Sequence, residues 1–245
     1  MPKYKLVILT CTFLIFFMID WFISNLPIIA QRELNLFAEQ DIFLNLFDSV
    51  NGYSGILQLL VIYALPVLLG VYYLFDKDNL QLLLRYKSRY AYRKHEVFHI
   101  LLVSAIFSGL HESINYILVN VDFENSIISQ FDFWEYSTFN ALLLFVFYVQ
   151  VGLIYLLICD LITNRVFALF VTFFGCLCQF WICKFYIFDA WLPYRDLMIT
   201  FEFLSKHLNK LDLILAIARN SIIAFILFLF CQMTFNKKDI LENEK

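Results

Sequence analysis

Charge is scarce in this chain: Asp, Glu, Lys and Arg make up 16% of its 245 residues, against roughly 25% in an ordinary soluble domain. Glycine and proline number only 6 and 4, which excludes collagen-like, linker-like and disordered chains. No basic surface suited to nucleic acid can be drawn. The chain lacks the G-x-x-x-x-G-K-[ST] loop through which it could itself bind ATP. It also lacks a G-x-S-x-G nucleophile and any cofactor fingerprint, so no cofactor is expected in this chain. What is present is apolar: 62% of residues are hydrophobic, 29 are Phe, and the mean hydropathy is +0.74. A soluble fold of this length cannot cover so much apolar surface. At roughly 20 residues per span, the length accommodates about five to seven helices and no large soluble domain. The expected class is an all-α polytopic membrane protein.

Six apolar runs define one transmembrane domain over 1–245, with spans at about 6–23, 55–75, 99–121, 137–159, 166–188 and 213–235. Pro66 and Gly70 predict a kink in the second. The first is too long for most signal peptides and no A-x-A-like site follows it, so it reads as a retained helix, with Asp20 near its outer end. Cys11, Cys159, Cys176, Cys178, Cys183 and Cys231 all lie in or at the ends of these runs. They read as thiols facing lipid or bundle rather than as disulfides or metal ligands.

The distribution of Lys and Arg sets the orientation. The N-terminus, segment 76–98, Arg165 and the C-terminal tail carry twelve of them, whereas segments 24–54, 122–136 and 189–212 carry four and are rich in acids. That bias places both termini in the cytoplasm and makes the latter three segments the outer ones. Lys184 and Arg219 fall near the outer ends of their spans and can snorkel. In the outer segment 196–211, the stripe Leu197, Phe201, Leu204, Leu208 and Leu211 predicts an amphipathic helix capped by Asp196. It would lie along the interface or act as a gate.

Three constellations carry potential chemistry. In the cytoplasmic stretch 80–96, Arg85, Arg89 and Arg93 recur every four residues beside an apolar side of Leu82, Leu83, Tyr86 and Tyr90. A topology-setting loop needs only charge, so the apolar stripe favours a helix that docks a cytoplasmic partner. His95-Glu96-Val97-Phe98-His99 matches H-E-x-x-H, the spacing of two zinc ligands with a glutamate base. It lacks a third ligand in a recognisable setting and follows the cations Arg93 and Lys94. Finally, His111 and Glu112 sit inside the third span with Asn115 one turn on. A pair at that depth faces the bundle interior, as a structural contact or as the lining of a substrate path or gate.

Six spans, a basic amphipathic segment after the second and outer helices before the sixth together resemble the membrane subunit of a type-2 ABC transporter. The run Arg85 to Lys94 is similar to the coupling segment of the small permeases that serve Gram-positive peptide and bacteriocin export or immunity. Trp191-Leu192-Pro193-Tyr194-Arg195-Asp196 fits the W-x-P-x-x-D signature of small Gram-positive membrane proteins. The resemblance implies a permease in the bacterial plasma membrane that forms a homodimer or heterodimer. A separate ATPase subunit would bind ATP and Mg and drive the export of a hydrophobic peptide or lipid-like substrate. It places partner docking at Arg85, Tyr86, Arg89, Tyr90 and Arg93, and the path or gate at His111, Glu112, Asn115, Trp191, Pro193 and Asp196. Two alternatives stand beside it: an intramembrane zinc protease using His95, Glu96 and His99, and a non-transporting immunity or scaffold protein.

Overall fold

The computed structural model describes residues 3–33, 37–47, 52–75, 88–162, 164–185 and 193–237, and among these 90% are helical and none is in a strand. In chain order the helices are α1 (Lys3–Glu33), α2 (Glu39–Leu46), a π-helical turn (Gln58–Ile62) leading into α3 (Ala64–Leu74), α4 (Arg89–Asp122), α5 (Asn125–Gln130), α6 (Phe133–Leu161), α7 (Arg165–Phe185), α8 (Pro193–Leu204) and α9 (Lys210–Lys237). Five of them, α1, α4, α6, α7 and α9, are long and apolar enough to cross a membrane. Gln58–Leu74 is equally apolar but shorter.

Helix boundaries follow local chemistry. Ser88 opens α4 by accepting the amide of Ala91 at 3.2 Å, and Asn164 opens α7 by accepting those of Val166 and Phe167 at 3.0 and 3.1 Å, each filling donors the first turn leaves bare. Pro66 falls in the first turn of α3, where a missing N–H is harmless. The break in the second apolar run lies ahead of it, at the π turn and Tyr63. α1 continues through Pro27 to Glu33. Asp20 is therefore the eighteenth of its 31 residues and buried, not near the end of a shorter helix. The amphipathic stripe expected over 196–211 is also divided: α8 starts at Pro193 and ends at Leu204, Lys206 turns the chain with φ 62°, and Leu211 belongs to α9.

α6 is the central helix, packed by α4 on one side and α9 on another, with α3, α7 and α8 completing its surroundings. α4 and α6 run antiparallel and very close: a Cβ on Gly152 would collide with the side chain of Ile100. α6 and α9 run parallel, and besides the exposed Lys210–Glu135 pair their polar contacts include three within the seam. Gln150 Nε2 donates to the Asn220 carbonyl at 2.9 Å, Cys231 Sγ to the Leu153 carbonyl at 3.3 Å, and Thr234 Oγ1 to Asp160 at 3.5 Å. The core is strongly aromatic, with Phe13, Phe17, Tyr53, Tyr63, Phe107 and Tyr148 in edge-to-face contact, a geometry worth about 0.5–1.5 kcal/mol per pair beyond area. Outside, Phe170, Phe174, Ile222 and Phe225 are at least 60% exposed. Such a surface is unsuited to water and suited to acyl chains.

Candidate functional site

The interior of the bundle holds a polar cluster assembled from α1, α4, α6 and the segment before α3. His111 and Glu112, neighbours on α4, are both buried. The Glu112 carboxyl group accepts hydrogen bonds from Asn140 Nδ2 at 2.6 Å and Ser137 Oγ at 3.0 Å, and is hydrogen-bonded to His111 Nδ1 at 2.9 Å. Ser137 and Asn140 lie three residues apart on α6, so one helix face presents both donors. One turn along α4, Asn115 Oδ1 accepts the indole N–H of Trp21 at 3.3 Å. Asp20, beside Trp21 on α1, is hydrogen-bonded to the hydroxyl of Tyr63, its Oδ2 lying 2.5 Å from Tyr63 Oη. The Tyr53 ring stacks on the imidazole of His111 at 4.3 Å between centroids and 6° between planes, with Phe17 and Tyr63 at its edges. The backbone around Tyr53 is held to the same cluster, its amide donating to Asn25 Oδ1 of α1 at 3.3 Å and its carbonyl lying 2.9 Å from the Tyr63 hydroxyl.

This arrangement brings together His111, Glu112 and Asn115, as the sequence predicts. It adds Asp20, Tyr53, Tyr63, Ser137 and Asn140, which the sequence reading did not select. Ser137 and Asn140 carried a usable signal, being polar residues in an apolar run. Four polar atoms of the cluster, Asn25 Nδ2, His111 Nε2, Asn115 Nδ2 and Asn140 Oδ1, are buried without a hydrogen bond among the described residues. A buried polar group that finds no partner, water included, costs about 1–3 kcal/mol.

A second polar centre closes the end of the bundle where α4 begins and α6 and α9 end. Arg93 is completely buried there. Its guanidinium donates to Glu96 at 3.0 Å and to Asp160, and lies 4.1 Å over the ring of Phe235. Arg93 thus faces inward and does not share a surface with Tyr90, which is 56% exposed. The side chain of Arg89 and all of Arg85 and Tyr86 lie outside the described residues. Glu96, the candidate base of the H-E-x-x-H motif, is buried and ion-paired. His95 and His99 do come together, their rings 4.3 Å apart. Among the described residues, however, no three His, Cys, Asp or Glu side chains are placed to hold a metal ion. A glutamate held by an arginine is also poorly disposed to serve as a base.

The third centre ties α8 to α9. Asp196, in the first turn of α8 and fully buried, accepts Arg219 Nε at 3.1 Å and Asn220 Nδ2 at 2.5 Å. Gln150 of α6 in turn donates to Asn220 Oδ1 at 2.9 Å. Pro193 opens α8, the position where its fixed φ suits a helix start, and Trp191 lies outside the described residues. Arg219, expected to snorkel, is 45% exposed at its side chain and uses its charge on Asp196. Under α8 a small cavity lined by Ser54, Leu60, Tyr136, Leu197 and Thr200 has room for about one water.

No protein-family model, curated protein or solved structure matches this chain.

Proposed function

We propose that this chain is the membrane subunit of a transporter, resident in a bacterial plasma membrane. It moves or expels a hydrophobic peptide of the bacteriocin or antimicrobial type, or a lipid-like molecule, and takes its energy from a separate ATPase that binds ATP and Mg. The observation that carries this reading is the buried trio Asp20, His111 and Glu112 inside helices otherwise fit for lipid. Ionisable groups within a membrane bundle are expensive, and they mark substrate or ion paths. The start of α1 and the end of α9 lie at the same end of the bundle, where Lys5 sits over Tyr73 and Arg93 over Phe235. That arrangement suits six crossings with both termini in the cytoplasm.

On this reading two permease subunits pair, and the ATPase docks at the same end as Arg93. The docking surface consists of Arg85, Tyr86, Arg89 and Tyr90, while Arg93 anchors the root of that surface from inside. Asp196 and Pro193 belong to a gate, with α8 latched to α9 by Arg219. A pull-down from native membranes tests the reading directly. The wild-type chain is expected to bring down an ATPase. Arg85→Glu combined with Arg89→Glu is expected to lose it while remaining inserted, because like charge then faces an acidic partner surface. An ATPase retained by the double variant, or absent from the wild-type sample, defeats the reading.

A further inference from the structure

One hydroxyl hydrogen stands between two acceptors at the heart of the polar cluster. Tyr63 Oη lies 2.5 Å from Asp20 Oδ2 and 2.9 Å from the carbonyl oxygen of Tyr53. A phenol carries a single hydrogen. With Asp20 ionised, Tyr63 completes only one of these contacts and leaves the other as two oxygens facing each other without a proton. With a proton on Asp20 both are complete: Asp20 O–H donates to Tyr63 Oη, and Tyr63 O–H donates to the Tyr53 carbonyl. We propose that Asp20 is a proton-binding site in the core of this protein, occupied in this conformation, and that the bound proton closes an Asp20–Tyr63–Tyr53 chain fastening residues 52–63 to α1.

The ionisable groups around Asp20 are Tyr63 and Tyr53 from the segment before α3 and His111 from α4, with Glu112 behind the imidazole. Two carboxylates thus share one imidazole. Glu112 engages it directly at 2.9 Å and is further held by Asn140 and Ser137. Asp20 receives no such set of donors; its hydrogen-bond partner is a neutral phenol. Its place near the middle of α1 adds a second argument, since a charged carboxylate deep in a membrane-spanning helix is costly. Binding forms one O–H bond on the Asp20 carboxyl, takes its charge from −1 to zero and draws the proton from water. Loss of the proton returns Tyr63 to an ionised Asp20, and the Tyr53 carbonyl is released. The linkage is a property of this chain alone and does not depend on the transport reading.

The test uses the full chain in lipid nanodiscs. Infrared difference spectra of wild type against Asp20→Asn are expected to show a protonated carboxyl C=O band at neutral pH, sensitive to D2O and absent from the variant. As the pH is raised, that band is expected to disappear. In the same titration, residues 52–63 should exchange their amide hydrogens roughly tenfold faster relative to residues 100–107 of α4, the scale set by losing one buried hydrogen bond. Asp20→Asn presents an N–H to Tyr63 in place of the O–H and should keep 52–63 protected at every pH. Tyr63→Phe should leave that segment fast at every pH with helix content unchanged. If Asp20→Asn does not insert, carbon-13 labelling of aspartate in wild type locates the band. The proposal is overturned by a spectrum with no Asp20 carboxyl band at neutral pH, by a band that does not titrate while the protein stays folded, or by exchange that follows pH alike in wild type and Asp20→Asn.

Discussion

Arg93 of α4 and Asp160 of α6 meet across 67 positions of sequence, the guanidinium Nη2 donating to the carboxylate Oδ2 in a site where neither side chain is more than 7% exposed. Glu96 completes the centre from the next turn of α4. A cation between two buried carboxylates is held by their combined field, and removing it takes away the charge that balances them in a low dielectric.

Arg93→Ala should therefore destabilise the protein by about 3–5 kcal/mol, read as a large drop in thermal midpoint in detergent or as loss of folded protein from the membrane. Glu96→Gln keeps an acceptor for the guanidinium and should cost only about 1 kcal/mol. Equal midpoints for Arg93→Ala and wild type would show that the pair contributes nothing.

Two glycines make a controlled comparison. Gly152 faces Ile100 with no room for a methyl group, so Gly152→Ala should cost about 1–3 kcal/mol by overpacking α4 against α6. Gly109, on the outer face of α4, has nothing within 4 Å of a built Cβ. Gly109→Ala should be neutral or stabilise by up to about 1 kcal/mol through helix propensity. Thermal unfolding of the two variants side by side decides it, and the reverse order would refute the close α4–α6 contact.

Glu112 binds donors from two helices, so its replacement separates assembly from activity. Glu112→Gln retains one acceptor oxygen and is expected to insert and remain folded, while the export activity proposed above falls at least tenfold. Disappearance of the protein from the membrane would instead mark Glu112 as a purely structural contact.

The orientation can be checked with single cysteines in a cysteine-free background. Ser88 and Ser126 flank opposite ends of α4, and Ser205 sits just past α8 at the same end as Ser126. Cysteines at Ser126 and Ser205 should react with an impermeant thiol reagent on intact cells, and one at Ser88 should not. A labelled Ser88 variant reverses the orientation and removes the docking argument with it.

Apolar runs located the long helices well, because hydropathy over 18 or more residues reports membrane fitness directly. The apolar run containing Asp20 ends at Ile23, whereas the helix goes on to Glu33. Asn25 is used inside, on the Tyr53 amide, and the helix passes Pro27. Arg93 was legible as one of three arginines on a helix side, but its inward turn depends on Asp160 and Phe235, far away in sequence. His111 and Glu112 announced themselves as charges within an apolar span. Tyr53 and Tyr63 did not, because in a chain with 14 Tyr and 29 Phe an aromatic residue signals nothing until its partner on another helix is known.

The parallel pair α6 and α9 illustrates how position along the membrane normal is set. Acyl chains are as apolar as leucine, so two greasy helices gain little from one longitudinal alignment over another. The contacts Gln150–Asn220, Leu153–Cys231 and Asp160–Thr234 act as notches spread along the seam. Sliding α9 by one turn, about 5.4 Å, would disengage all three together, so the pair has one indexed alignment. Piston-like travel of α9 against α6 is thereby discouraged, and rearrangements of the bundle are channelled into tilting of the helices around this pair.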